Sequence, residues 1–318
     1  MTTQRRAILY ITLTTLLWGL PSLFIHYFAS YLDADSQNFW RYLAAMAFLL
    51  LYGWWSGEEV VCRQGQALIR VAVTAALLVA YQYCYTESLY YAKPALVSLL
   101  IQLELIVAIS LSCLFFPDER RVARSPWFIL GACAAMAGAV GMVVFSRECA
   151  AAEAQPADWA KLAFAVSLVV GAAALWGAYS VAVKWSLEQV SPFSLFTNVA
   201  TLAALFFLML AGLQGRPGAI AHMSAGGILA VIGSGIACIA VAQVLYLSAI
   251  RGLGVGICNT VILASPIVAV ALSPFLFGEQ LTWLQVLSAI VLLSGAVAAV
   301  RANGGRRKAS EGLAKRRV

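Results

Sequence analysis

The chain has 318 residues, 62% of them hydrophobic and 11% charged, with a mean hydropathy of +0.86 and a formal charge of +7. Soluble domains carry about 25% charged residues, so a water-facing globular surface is excluded and a lipid-facing one implied. The positive charge is no nucleic-acid footprint: six of the 21 Lys and Arg (Arg306, Arg307, Lys308, Lys315, Arg316 and Arg317) lie in the last 17 residues, with no folded basic surface beside them.

A spanning helix needs about 20 mostly apolar residues, and ten such runs follow one another. The first, 7–28, comes after Arg5 and Arg6; it is too long for a secretory signal and lacks a small-residue cleavage site, so it is read as a retained helix. The second, 38–55, carries Arg41, and the third, 67–90, carries Gln82, Tyr85 and Glu87. Tyr81, Tyr83, Tyr90 and Tyr91 crowd the outer end of that third run, either as an aromatic belt or as a cavity mouth able to hold organic cations. The fourth, 94–116, begins beside Lys93, which is expected to snorkel, and holds Glu104. The fifth, 125–145, is dense in small residues such as Gly131, Ala134, Ala135, Gly138 and Gly141. A charged loop, 146–160, divides the chain. Runs 161–184, 192–213, 226–250, 254–277 and 281–301 then repeat the pattern, and a basic tail, 302–318, closes it, expected to be disordered, cytoplasmic and near anionic headgroups.

Loop charge sets orientation. With the N-terminus in the cytoplasm, sixteen Lys and Arg fall inside, among them Arg63, Arg70, Arg120, Arg121, Arg124, Lys184, Arg251 and Arg301. Only Lys93, Arg147, Lys161 and Arg216 fall outside. Both termini are therefore expected in the cytoplasm of a bacterial inner membrane. The seven cysteines form no CxxC and read as small hydrophobes. The two histidines, His26 and His222, offer a metal almost nothing, and no metal or cofactor is expected.

The halves repeat each other. Leu17-Trp18-Gly19-x-x-Ser22 recurs 158 residues later as Leu175-Trp176-Gly177-x-x-Ser180. Gln82-x-x-Tyr85 recurs 161 residues later as Gln243-x-x-Tyr246, and at that offset Ile106-Val107-Ala108 matches Ile267-Val268-Ala269. Each half holds five runs, an odd number, so the halves must insert with opposite orientation. The expected fold is an all-α integral membrane protein of ten transmembrane helices in two inverted five-helix repeats, 7–145 and 161–301. Inverted repeats are a common transporter plan, with a site near the midplane exposed alternately by rocking one half against the other.

The Leu-Trp-Gly openings, the stretch Leu263-Ala264-Ser265-Pro266 through Phe277-Gly278-Glu279-Gln280-Leu281-Thr282, and its counterpart Phe116-Pro117-Asp118-Glu119-Arg120 resemble the drug/metabolite transporter superfamily, in particular its ten-helix EamA-type branch. The resemblance runs from residue 7 to about 301. It implies a cavity lined mainly by helices one, three, four, six, eight and nine, with helices five and ten peripheral. It also implies export of amino acids, metabolites or toxic organic compounds. Where helix nine has Ser265-Pro266, helix four has Glu104-Leu105, a carboxylate in place of the kink.

Glu104 is the foremost candidate, because an ionisable group at mid-membrane is costly and marks a functional site by default. It would pair with a cationic substrate or carry a coupling proton, or else be a protonated acid bonded between helices. Gln82, Tyr85, Gln243 and Tyr246 are spaced three apart, so each pair shares a helix face; they would hold a ligand's polar atoms or bind helix to helix. Trp18 and Trp176 would line the cavity or pack it. Arg41 and Glu87 would form a fixed ion pair or a gate. The small residues of the fifth and tenth runs point to close helix packing, with a homodimer contact as a second use.

Paired aspartates, a Ser/His arrangement or an HExxH at depth are absent, so no enzyme is expected. With no P-loop either, the energy source would be a gradient. The reading is a secondary active transporter of small organic solutes, an exporter of amino acids, metabolites or amphipathic cations working by alternating access. Its alternatives are an importer or exchanger of a polar metabolite and a non-transporting scaffold. A buried acid with no fixed mid-membrane cation argues against a highly anionic substrate.

Overall fold

A computed structural model describes residues 3–60, 65–92, 97, 100–145, 159–265, 267–268, 271 and 282–315. The expected inter-repeat loop, Lys93, and the ends of the fourth and ninth runs lie largely or wholly outside these. The described residues are helical throughout, without a strand. In lipid this is required, since every backbone N–H and C=O must be satisfied within its own segment.

The first run is split. Helix α1 (Thr3–Trp18) ends at Gly19-Leu20, and α2 (Pro21–Phe28) starts on a proline at its first turn, the helix position where the missing N–H costs least. Helix α3 (Ala34–Ser56) is capped by the Asp33 side chain, which accepts from the Ser36 N–H at 2.8 Å. Helix α4 spans Gly65–Tyr91, α5 Leu103–Phe115, α6 Pro117–Ala123 and α7 Pro126–Val144. In the second half come α8 (Trp159–Ser186), α9 (Pro192–Leu213), α10 (Ala225–Ser234), a π-helical segment (Gly235–Val241), α11 (Ala242–Leu253), α12 (Val255–Ile262) and α13 (Trp283–Lys315).

Among the described residues, six stretches are long and apolar enough to cross a membrane: Gln4–Ile25, Gly65–Tyr91, Ala163–Ser186, Pro192–Leu213, Ala225–Leu253 and Trp283–Arg301. A seventh arises if α6 and α7, which meet at 75°, count as one span. Ten runs were expected, of which the fourth and ninth extend outside the described residues. Helix α3 carries Arg41 and several Trp and Tyr residues that lower its hydropathy, α5 has 13 residues, and α12 has eight. The basic tail also departs from expectation, because α13 continues as helix to Lys315; its Ala, Arg, Lys and Glu are good helix formers, and no proline interrupts them.

The halves interdigitate. The most extensive packing joins α1 to α11, α4 and α5 to α8, α3 to α9 and α7 to α13, each a contact between a first-half and a second-half helix. One buried core therefore runs through both halves, from Ala7 and Ile11 to Tyr246 and Ile257. Neither half holds a core of its own, as a separable domain would. The outer faces carry Leu51, Leu130, Leu205, Leu229 and Ile290, all exposed, an apolar coat suited to acyl chains.

The small residues of α7 and α13 serve this packing inside one chain. A Cβ on Gly138 would lie 2.5 Å from Leu292 N and 2.6 Å from Ser288 O, and one on Gly131 would lie 2.6 Å from Ala299 N. Both obstacles are backbone, which cannot swing away. Gly138→Ala is therefore expected to lower stability by about 1–3 kcal/mol, the usual range for overpacking. Gly233→Ala, where nothing lies within 4 Å, should be neutral or stabilising; thermal melting in detergent compares the two.

Candidate functional site

The two Leu-Trp-Gly elements meet at the centre. Gly177 brings α8 onto α5, where a Cβ would stand 2.6 Å from Val107 Cγ1 and 2.8 Å from Ala108 N. Gly19 does the same against the ninth run, where a Cβ would stand 2.7 Å from Ser265 O and would also strike Val268. Val107 and Val268 are the residues that the 161-residue offset matches. Each glycine thus seats its helix on the same position of the opposite repeat, and the tryptophan before it turns inward.

The rings of Trp18 and Trp176 lie edge to face with centroids 5.1 Å apart, a favoured aromatic geometry. Tyr246 lies 5.0 Å from Trp18 and 5.5 Å from Trp176, and Tyr81 lies 4.8 Å from Trp176. Four helices, α1, α4, α8 and α11, therefore supply one aromatic cage. Tyr81, whose ring is tilted at 50° to that of Trp176, is one of the tyrosines expected in a surface belt or a cavity mouth. Tyr85 stacks on Tyr81 at 5.7 Å.

Hydrogen bonds fix the rings. Trp18 Nε1 donates to Cys238 O at 2.9 Å, and one turn earlier the Thr14 hydroxyl donates to Ala242 O at 3.1 Å. Cys238 belongs to the π-helical segment; such segments widen a helix locally and recur at functional sites. Trp176 Nε1 donates to Asn259 Oδ1 at 2.9 Å. Because indole is a donor only, the Asn259 amide is oriented. Its Nδ2 donates to the Tyr246 hydroxyl at 3.2 Å, and Tyr246 and Ser180 share a bond of 2.8 Å.

The matched Gln and Tyr positions take different partners. Gln243 Oε1 accepts from Tyr179 at 3.0 Å. Gln82 Nε2 donates to Thr86 Oγ1 at 2.8 Å and to Asn38 Oδ1 at 3.3 Å. Glu104, second residue of α5, is buried at 8% exposure, with no hydrogen bond or ion pair to its carboxylate among the described residues. It lies within electrostatic reach of Tyr81, Tyr85 and Tyr246, beside the cage.

Arg41 and Glu87 do not form the expected ion pair. Arg41 is 2% exposed and turned inward, toward Tyr81, Tyr85 and Cys238. Glu87 is half-buried, bonded by Tyr91 and near Asp35 and Asp33. A buried guanidinium on α3 also removes the premise that the interior holds no fixed cation.

Sequence reasoning passed over a second polar cluster at one end of the bundle. Lys184 Nζ lies 2.6 Å from Asp118 Oδ2 and 2.7 Å from Glu119 Oε1. Glu119 is 4% exposed and also accepts the Val255 N–H at 2.9 Å, at the start of α12. The strand of chain entering α12 needs Gly254, whose φ is +87° and whose Cβ would collide with Glu119. Arg70 pairs with Glu188 at 2.9 Å beside them. The only signal in the sequence was charge within short loops. Removing one member of a buried pair leaves its partner uncompensated, so Glu119→Ala and Lys184→Met are each expected to cost on the order of 3 kcal/mol. A double-mutant cycle on melting temperature should find the double variant no worse than the harsher single one.

The sequence profile of the EamA-like transporter family matches residues 5–146 and, again, residues 163–301. No curated protein matches the chain. A solved crystal structure, described only as that of a protein, is 18% identical, covers 92% of this chain and 95% of its own, and superposes with a TM-score of 0.76; it bears on the fold alone.

Proposed function

The chain belongs to the EamA-like transporter family, and from that premise we propose that it is a secondary active transporter of small amphipathic organic solutes, working as an exporter by alternating access. The carrying observation is the aromatic cage of Trp18, Tyr81, Trp176 and Tyr246, drawn from both repeats, with Glu104 beside it. Aromatic faces hold apolar groups and, by cation–π attraction, ammonium groups. Glu104 carries either the countercharge to such a group or the coupling proton.

The proposed membrane arrangement has ten spans in inverted repeats, with both termini cytoplasmic. Helix α3, the bent α6–α7 unit, and the fourth and ninth runs complete the six long apolar helices. The moving bodies are two exchanged groups rather than the halves of the sequence: α1 with α11 and α12, and α8 with α4 and α5, each a set of helices in mutual contact that carries one of the two tryptophans. The cage lies where the groups meet. The Lys184–Glu119 cluster closes the cytoplasmic end in this state and opens when the groups rock.

Uptake into proteoliposomes under an imposed pH gradient tests the reading, with amino acids, organic cations and neutral metabolites as solutes. Trp176→Ala is expected to lower transport of the preferred solute at least tenfold, with Trp176→Phe intermediate. Glu104→Gln should abolish pH-driven accumulation and keep solute exchange. Wild-type rates in both Trp176→Ala and Glu104→Gln would mean that cage and carboxylate only pack the bundle.

A further inference from the structure

The buried side-chain atoms without a hydrogen-bond partner, among the described residues, all fall in one short stretch of α3: Asp35 Oδ1, Gln37 Oε1, Asn38 Nδ2, Arg41 Nε and Arg41 Nη1. Buried polar groups elsewhere in proteins are almost always satisfied, and each exception asks for a missing partner. Here the exceptions are adjacent. Asn38 and Arg41 are three residues apart, and Gln37 and Arg41 four, so they share a helix face.

The surrounding bonds dictate which atoms are left free. The Tyr90 hydroxyl spends its proton on Leu32 O at 2.8 Å and accepts from Gln37 Nε2 at 2.7 Å, which leaves the Gln37 oxygen open. Asn38 Oδ1 already accepts from the Thr86 hydroxyl at 3.1 Å and from Gln82 at 3.3 Å, which turns its NH2 group outward as a donor. Arg41 is held in place from behind. Gly235 of the π-helical segment packs directly on the Arg41 carbonyl, with no room for a Cβ. No described carboxylate pairs with the guanidinium, whose neighbours are Tyr42, Tyr81, Tyr85 and Cys238. Its two orphan nitrogens stand on opposite sides of the group, so both edges retain donors for an acceptor. The 158-residue offset places Val199, fully buried, at the corresponding position of the second repeat. The feature is therefore peculiar to the first half.

We propose that Arg41 and Asn38 form the subsite for a carboxylate on the transported solute, with the guanidinium and the Asn38 amide donating to its oxygens. The inference rests on the transport reading and narrows it. Arg41 and Tyr81 are neighbours, and Tyr81 packs on Trp176 with centroids 4.8 Å apart. A carboxylate at Arg41 therefore leaves the rest of the molecule against the aromatic cage, with Glu104 also within electrostatic reach of Tyr85. The substrate class is a small amphipathic organic acid, and one bearing an ammonium group would meet Glu104 as well. A planar guanidinium matches a carboxylate better than a lysine ammonium does, so Arg41→Lys should be a partial substitute.

Melting temperature in detergent and uptake into proteoliposomes, each with Arg41→Met, Arg41→Lys and Asn38→Leu, test this. The probes are amino acids and monocarboxylates, each set against its own amide. A carboxylate is expected to raise the wild-type melting temperature, its amide to be at least tenfold weaker, and Arg41→Met to lose the response. Ligand-free Arg41→Met should melt no lower than wild type, because the change removes an unpaired buried charge; a residue with a purely structural role would show a clear drop. Equal responses to acid and amide, no response to any acid, or a wild-type response in Arg41→Met would overturn the subsite. Movement of neutral or cationic solutes but of no acid, at equal rates in wild type and Arg41→Met, would also overturn it, while leaving the transport reading standing. Arg41-dependent binding of an acid that never crosses the bilayer would support the subsite and remove the transport reading.

Discussion

Two close approaches set the rest of this molecule. Gly19 seats α1 against Ser265 and Val268, and Gly177 seats α8 against Val107 and Ala108 of α5. In lipid, helices gain nothing by hiding apolar surface from one another, so association depends on packing and on small residues that admit it. The glycines supply that admission at matched positions of the two repeats. As a consequence each repeat completes itself with helices of the other, and the residue before each glycine, a tryptophan, is delivered to the same central point. Edge-to-face contact of Trp18 with Trp176 follows from the two glycine contacts.

The duplicated framework is used unequally. Trp176 finds a side-chain acceptor in Asn259, while Trp18 finds a backbone carbonyl in the π-helical segment. Gln243 bonds a tyrosine and Gln82 an Asn–Thr pair. Glu104 stands on the α5 side without a carboxylate in the matching Ser265-Pro266, and Arg41 stands on α3 opposite an uncharged Val199. Symmetry therefore builds the cavity, and departures from symmetry place an acid, Glu104, and a cation, Arg41, each within electrostatic reach of Tyr81 and Tyr85.

How much of this the sequence reveals depends on the range of the interaction. Apolar runs and the repeat offset are local or periodic, so the all-helical class was legible, and the offset already paired Trp18 with Trp176, which the fold brings into contact. Tyr81 was not, because a tyrosine near a helix end reads as an interfacial anchor until the helix that it faces is known. Asn259 and Ser180 join the cage only through the packing of α12 against α8 within the second repeat, a contact 79 residues apart in sequence. Arg41 was misassigned to Glu87 because both lay near the same end of adjacent runs; helical phase turns one inward and leaves the other by Asp35. Of the ten runs, the second is made less apolar by the polar face of α3, and the fourth and ninth extend beyond the described residues.

The central claim is that solute binds at the meeting point of the two tryptophans, and intrinsic fluorescence addresses it most directly. Trp18 and Trp176 are two of nine tryptophans, and Trp54 and Trp55, 84% and 79% exposed on the outside of α3, make a matched control. On titration with the transported solute, the account predicts that the fluorescence change of the wild type survives in Trp54→Phe/Trp55→Phe and disappears in Trp18→Phe/Trp176→Phe. A change that persists undiminished in the Trp18→Phe/Trp176→Phe protein would contradict it and move the binding site away from the seam between the repeats.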